Sequence, residues 1–105
     1  MELKQQINID SKDLDTIKAL LRKYLPDTLV WAYGSRVNQS GHAYSDLDIV
    51  VFSKSGQQDE IFDLKMAFEN AFLPFRVDLH CWDEIPDSFR NNIKRNYVVL
   101  QHDSN

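Results

Sequence analysis

The chain has 105 residues, 43% of them apolar and 27% charged, with a formal net charge of −4. That length builds one small core, so residues 1–105 are expected to form a single domain. An acidic balance with no Lys/Arg block excludes the basic footprint of a dedicated nucleic-acid binder. No run approaches the ~20 apolar residues of a membrane span and the first residues form no apolar leader, which predicts a cytoplasmic protein. The single cysteine, Cys81, has no internal disulfide partner and is read as a buried thiol.

Proline and glycine divide the chain. Asp10 or Ser11 starts a first helix, with Leu14, Ile17, Leu21, Tyr24 and Leu25 at helical spacing, and Pro26 stops it. Residues 29–33 form a short aromatic strand ended by Gly34. Residues 47–52, rich in β-branched side chains, form a second strand that ends at Ser55-Gly56. A second helix covers residues 59–72, with Ile61, Leu64, Phe68, Ala71 and Phe72 on one face, and Pro74 closes it. Residues 75–81 alternate as a half-buried strand: Phe75, Val77 and Leu79 inward, Arg76, Asp78 and His80 outward. A short helix after Pro86 carries Phe89 and Ile93, and residues 97–100 form a last strand. The order predicts an α/β (α+β) domain: a small mixed or antiparallel sheet with helices packed on one face.

Between the first two strands the sequence reads WAYGSRVNQSGHAYSDLDIVV. Side chains alternate along a strand, so Asp46 and Asp48 point to one face while Leu47, Ile49 and Val51 point to the other. Asp78 lies on the outward face of its own strand. If the two strands are neighbours, three carboxylates meet on one sheet face and repel one another. Divalent cations relieve that repulsion. Oxygen ligands of this kind select Mg²⁺ or Mn²⁺, which take a few carboxylates together with substrate phosphate oxygens. At the other side of the loop, Gly34 lets a phosphate approach the backbone, and Ser35 supplies a hydroxyl and an N–H. Two metal ions holding the attacking and leaving oxygens in line is one solution for nucleotidyl transfer.

Gly34-Ser35, ten intervening residues, then Asp46-Leu47-Asp48 and an apolar run resembles the signature of the DNA polymerase β-type nucleotidyltransferase superfamily. Asp78 in RVDLH resembles its third carboxylate. The short length, with VWAYGSR, YSDLDIVV and FRVDLHCW, resembles the minimal nucleotidyltransferase branch. The resemblance implies the polymerase β-like fold, with Asp46, Asp48 and Asp78 as catalytic metal ligands and Asp78 helping to deprotonate the attacking hydroxyl. It implies that Gly34 and Ser35 hold the triphosphate, and that ATP is the substrate from which AMP is transferred as pyrophosphate leaves. It also implies a helical HEPN-domain partner, an RNase toxin that the nucleotidyltransferase modifies as its antitoxin. The alternative is a binding module that neutralises the same partner by contact, its nucleotide site catalytically weak.

Arg36 follows the phosphate loop and is expected either at a phosphate, which Arg matches with paired donors, or in solvent. Arg76 and His80 are read as neutralising the carboxylates. His42 and Tyr44 are read as loop residues outside the chemistry, His102 as part of a terminal tail, and Trp31 and Trp82 as core or interface rather than nucleobase platforms. Val50 and Phe52 share the face of Asp48 by parity. An open sheet face mixing acids and apolar groups is expected to dock the partner.

Overall fold

The computed structural model describes residues 7–37 and 45–103. The elements run α1 (Ser11–Tyr24), β1 (Val30–Tyr33), β2 (Leu47–Val51), α2 (Gln58–Asn70), β3 (Val77–Cys81), α3 (Asp87–Arg95) and β4 (Tyr97–Gln101), with a 3-10 turn at Trp82–Glu84 before α3. The sheet has the order β3-β2-β1-β4. β1 pairs antiparallel with both β2 and β4, while β2 and β3 run parallel. Parallel neighbours require a crossover, and α2 supplies it. Among the described residues no helix is long and apolar enough to cross a membrane.

Each strand divides its side chains between two cores. Val30, Ala32, Leu47, Ile49, Val51, Leu79, Val98 and Leu100 face α1 and α2, where they meet Ile17, Leu21, Leu64 and Phe68. Asp10 occupies the N-cap position of α1 but makes no side-chain cap hydrogen bond. α2 ends at Asn70, two residues before the expected end, and Ala71 is extended. Leu73 precedes Pro74, and a residue before proline is excluded from helical backbone, so the chain leaves the helix early. Phe72, expected on the buried face, is therefore fully exposed.

The opposite sheet face is not open. Trp31, Tyr33, Val50 and Phe52 pack there with Ile85, Ile93, Trp82 and Tyr97. Trp31 stacks on Tyr97 with ring centroids 3.8 Å apart and meets Phe52 edgewise at 4.7 Å, and Phe52 lies 4.7 Å from Trp82. This corrects the expected docking surface at Val50 and Phe52. Val50 is fully buried, and Phe52 is held inside the aromatic cluster. The two long helices lie on one face as expected, and α3 crosses the other. An isolated helix of nine residues is far below the ~12–15 that hold themselves in water. α3 depends instead on Ile93, 2% exposed, whose burial contributes about 1.5–3 kcal/mol. Arg90 adds a clamp, donating from Nε and Nη2 to the Trp82 carbonyl at 3.2 and 2.9 Å.

Candidate active site

The acids collect where β1 ends and β2 begins. Asp48 sits in register with Asp78 across the parallel β2–β3 pair and with Tyr33 across the antiparallel β1–β2 pair. Side chains directly opposite on adjacent strands share a face, so Tyr33, Asp48 and Asp78 form a row across three strands. Asp46 is exposed at the rim, one residue before β2. The Asp48 carboxyl is pushed above the usual carboxylate range, first by burial, then by the charges of Asp78 and Asp46. His80 acts the other way, and its Nε2 lies 3.3 Å from Asp78 Oδ2. Burial, reinforced by Asp48 and Asp78, also drives the Tyr33 phenol well above its ordinary value. Among the described residues no three acids, thiols or imidazoles close on a single point. The arrangement is a facing pair, Asp48 and Asp78, with Asp46 beside it.

Gly34 closes the row. Its φ is +86°, a backbone conformation that costs a residue with a Cβ about 1–2 kcal/mol. A Cβ placed there would overlap Asp48 Oδ2 and stand 3.3 Å from Asp48 Cγ. The glycine is thus required by the carboxylate itself, a constraint separate from any approach of a phosphate. The turn continues with the Val37 N–H donating to the Gly34 carbonyl at 3.0 Å, and Ser35 is half-buried beside it.

Arg36 is buried. It is 4% exposed, donates from Nε to the Ser45 carbonyl at 2.8 Å and from Nη1 to the Asn8 carbonyl at 2.7 Å, and lies 4.3 Å from the centre of the Phe75 ring. The expectation of a solvated loop residue is corrected, and Nε and Nη1 are committed to backbone carbonyls. The planar guanidinium suits two carbonyls and an aromatic face at once, and here it ties the N-terminal segment to the start of β2. His42 and Tyr44 lie outside the described residues. Trp31 and Trp82 are packing residues of the second core, as expected.

Among the described residues two recesses flank the acids. A broad open groove of about 720 Å³ runs along the outer edge of β3, lined by Lys65, Glu69, Arg76 and Asp78 among others. A smaller cavity of about 210 Å³ lies between the end of β1 and α3, lined by Tyr33, Gly34, Asp48, Phe89, Asn92, Ile93 and Asn96. Tyr33 and the α3 side chains were missed in the sequence. Tyr33 was legible in principle, because an antiparallel pairing of the first two strands sets it opposite Asp48. The α3 residues carried no such signal, since nothing in the sequence says which sheet face a short helix will cross.

The chain is 41% identical over 97 residues to "Probable protein adenylyltransferase MntA" of Haemophilus influenzae, covering 91% of this chain and 85% of that protein. It is also similar to a chain in a crystal structure of a toxin-antitoxin with AMP-PNP, with a TM-score of 0.69 and 23% identity over 86% of this chain and 73% of that one. At that identity the likeness shows the fold. The model of the family described as "Polymerase beta, Nucleotidyltransferase" matches residues 15–105. With its paired strand carboxylates and glycine turn, the chain belongs to the polymerase beta nucleotidyltransferase family and is an enzyme of the nucleotidyltransferase class.

Proposed function

We propose that this enzyme transfers AMP from ATP to a hydroxyl of a partner protein, the toxin of a toxin–antitoxin pair, and so acts as its antitoxin. The observation that carries the reading is the Asp48–Asp78 pair beside Asp46 and Gly34. The relative named a protein adenylyltransferase and the fold shared with a chain of a toxin–antitoxin complex holding AMP-PNP support it. A helical HEPN-domain protein is the partner that the sequence resemblance implies.

The donor set fits Mg²⁺ or Mn²⁺. It consists of carboxylate oxygens, and the Asp48 carboxyl, raised by burial and then by Asp78 and Asp46, gains from a neighbouring cation. Asp46, Asp48 and Asp78 would hold the ions, and the spread of the three leaves positions for phosphate oxygens. When bound, the ions neutralise the triphosphate and the developing charge on the oxygens of an in-line displacement. The residues do the rest. The turn at Gly34 and Ser35 fixes the β- and γ-phosphates. Asp78, bordering the open groove along β3, accepts the proton of the acceptor hydroxyl as that oxygen bonds to the α-phosphorus. The bond from the α-phosphorus to the bridging oxygen breaks, and pyrophosphate leaves with its electron pair. His80, 3.3 Å from Asp78, orients that carboxylate.

The test is transfer from α-³²P-labelled ATP with Mg²⁺, using the purified chain and the toxin encoded beside it. Label is expected on the toxin with the wild type and absent with Asp48→Asn. A stable complex in which the toxin never takes label would overturn transfer in favour of neutralisation by contact.

A further inference from the structure

We propose that the cavity between β1 and α3 is the nucleobase subsite of this enzyme, with Phe89 as its stacking surface and Asn92 and Asn96 selecting adenine over guanine. The inference rests on the nucleotidyl-transfer reading and adds what that reading leaves open, namely how the base is chosen. The carboxylates and the glycine turn address phosphates, and phosphates are the same in every nucleoside triphosphate.

Position comes first. The cavity begins at Gly34 and Asp48, the phosphate side of the site, whereas Asp78 lies one strand further out, on the edge strand β3, which borders the open groove. A nucleotide anchored by its phosphates at Gly34, with its α-phosphorus facing Asp78, carries its nucleoside away from the acceptor. Among the described residues the recess on that side is the one under α3. Size agrees. At about 210 Å³ it falls below the ~300–1,000 Å³ of a cleft enclosing a whole drug-sized ligand, and so accepts one ring system rather than a complete nucleotide.

The lining chemistry is that of base recognition. Phe89, Asn92 and Ile93 recur at the spacing that places them on one side of α3, and Asn96, the extended residue that follows the helix, lines the same cavity. Phe89 is 43% exposed, a large apolar ring left at the cavity mouth. It meets Tyr33 at 78° with centroids 5.9 Å apart, so it is not stacked on that ring, and a flat ligand can lie against it. Asn92 receives one long contact from Arg95, 3.4 Å at Oδ1, and Asn96 has no side-chain hydrogen-bond partner among the described residues. Each carboxamide offers a donor beside an acceptor, the pairing that matches the N6 and N7 edge of adenine bidentately. Guanine presents two acceptors on that edge, one of which would oppose the amide oxygen.

The test is equilibrium binding of AMP-PNP, GMP-PNP and inorganic tripolyphosphate, each with Mg²⁺, to the full chain and its variants. Wild type is expected to prefer AMP-PNP. Phe89→Ala is expected to weaken AMP-PNP by about 5- to 150-fold, the loss of one base–aromatic stack. The double variant Asn92→Ala/Asn96→Ala is expected to bring the AMP-PNP and GMP-PNP affinities together. Tripolyphosphate affinity should not change in either. All three residues are exposed, and Phe89→Leu, which keeps the bulk without the aromatic face, replaces Phe89→Ala if that variant does not fold. Unchanged AMP-PNP affinity and selectivity, with tripolyphosphate still bound, would overturn the base subsite and leave the phosphate site standing. Equal losses for AMP-PNP and tripolyphosphate would also overturn it. Failure of the wild type to bind any of the three would remove the transfer reading and the subsite with it.

Discussion

Replacing Gly34 with alanine should damage the enzyme through Asp48, and the size of the effect can be built from two parts. The backbone at φ +86° costs a Cβ-bearing residue about 1–2 kcal/mol. The new methyl also overlaps Asp48 Oδ2, so the carboxylate must leave its rotamer, at about 0.5–1.5 kcal/mol. Together the loss is about 1.5–3.5 kcal/mol. The parts separate in a double-mutant cycle. In an Asp48→Ala background the nearest remaining of these atoms is the Cβ of residue 48, at 3.5 Å, an ordinary contact. Gly34→Ala should then cost only its backbone part. Urea unfolding at neutral pH without metal, run on the four proteins of the cycle, gives the coupling. Gly34→Ala alone should also lose transfer, because Asp48 is displaced. An equal cost in both backgrounds, or full transfer activity in Gly34→Ala, would refute the steric link between the turn and the carboxylate.

Asp48→Asn should raise the urea midpoint of the metal-free protein at pH 7. A carboxyl whose folded pKa is raised costs stability when ionised, and the gain should fade as pH drops from that raised pKa toward the ordinary value of 3.8. Arg36→Ala should cost about 2 kcal/mol by leaving the Asn8 and Ser45 carbonyls unsatisfied, with tripolyphosphate affinity unchanged in the folded fraction. Arg36→Lys should rescue little, because a point ammonium cannot fork to two carbonyls. Phe52→Glu should destabilise the chain by about 2–4 kcal/mol, a charge forced among Trp31 and Trp82, and thermal melts should show this before any effect on a partner.

Most of the elements were legible because they are short and bounded on at least one side by proline or glycine, and because two-residue alternation in β2 and β3 leaves little choice of face. The same alternation put Asp48 and Asp78 on one surface before their pairing was known. Arg36 was not legible. Its place depends on Asn8, Ser45 and Phe75, and no local pattern brings those three segments together. Phe52 misled for a related reason. Parity gives the face a side chain occupies but not what covers that face, and over Phe52 the cover is Trp82 of the 3-10 turn, in a cluster that Ile85 and Ile93 complete. Phe72 misled through its neighbours, since helical spacing ignores the restriction that Pro74 places on the residue before it.

The parallel β2–β3 junction also governs when the site comes into being. Asp48 and Asp78 face each other only after the chain between them has folded through α2 and closed a long loop, and such non-local closure is the slow part of folding. A nascent or partly folded chain therefore carries all of its acids and none of its chemistry. Whatever binds across that junction also binds the native state alone, so cation and nucleotide would hold this non-local contact together and slow its opening. Occupancy should then be readable in hydrogen exchange, as slower exchange in β2 and β3 than in β4.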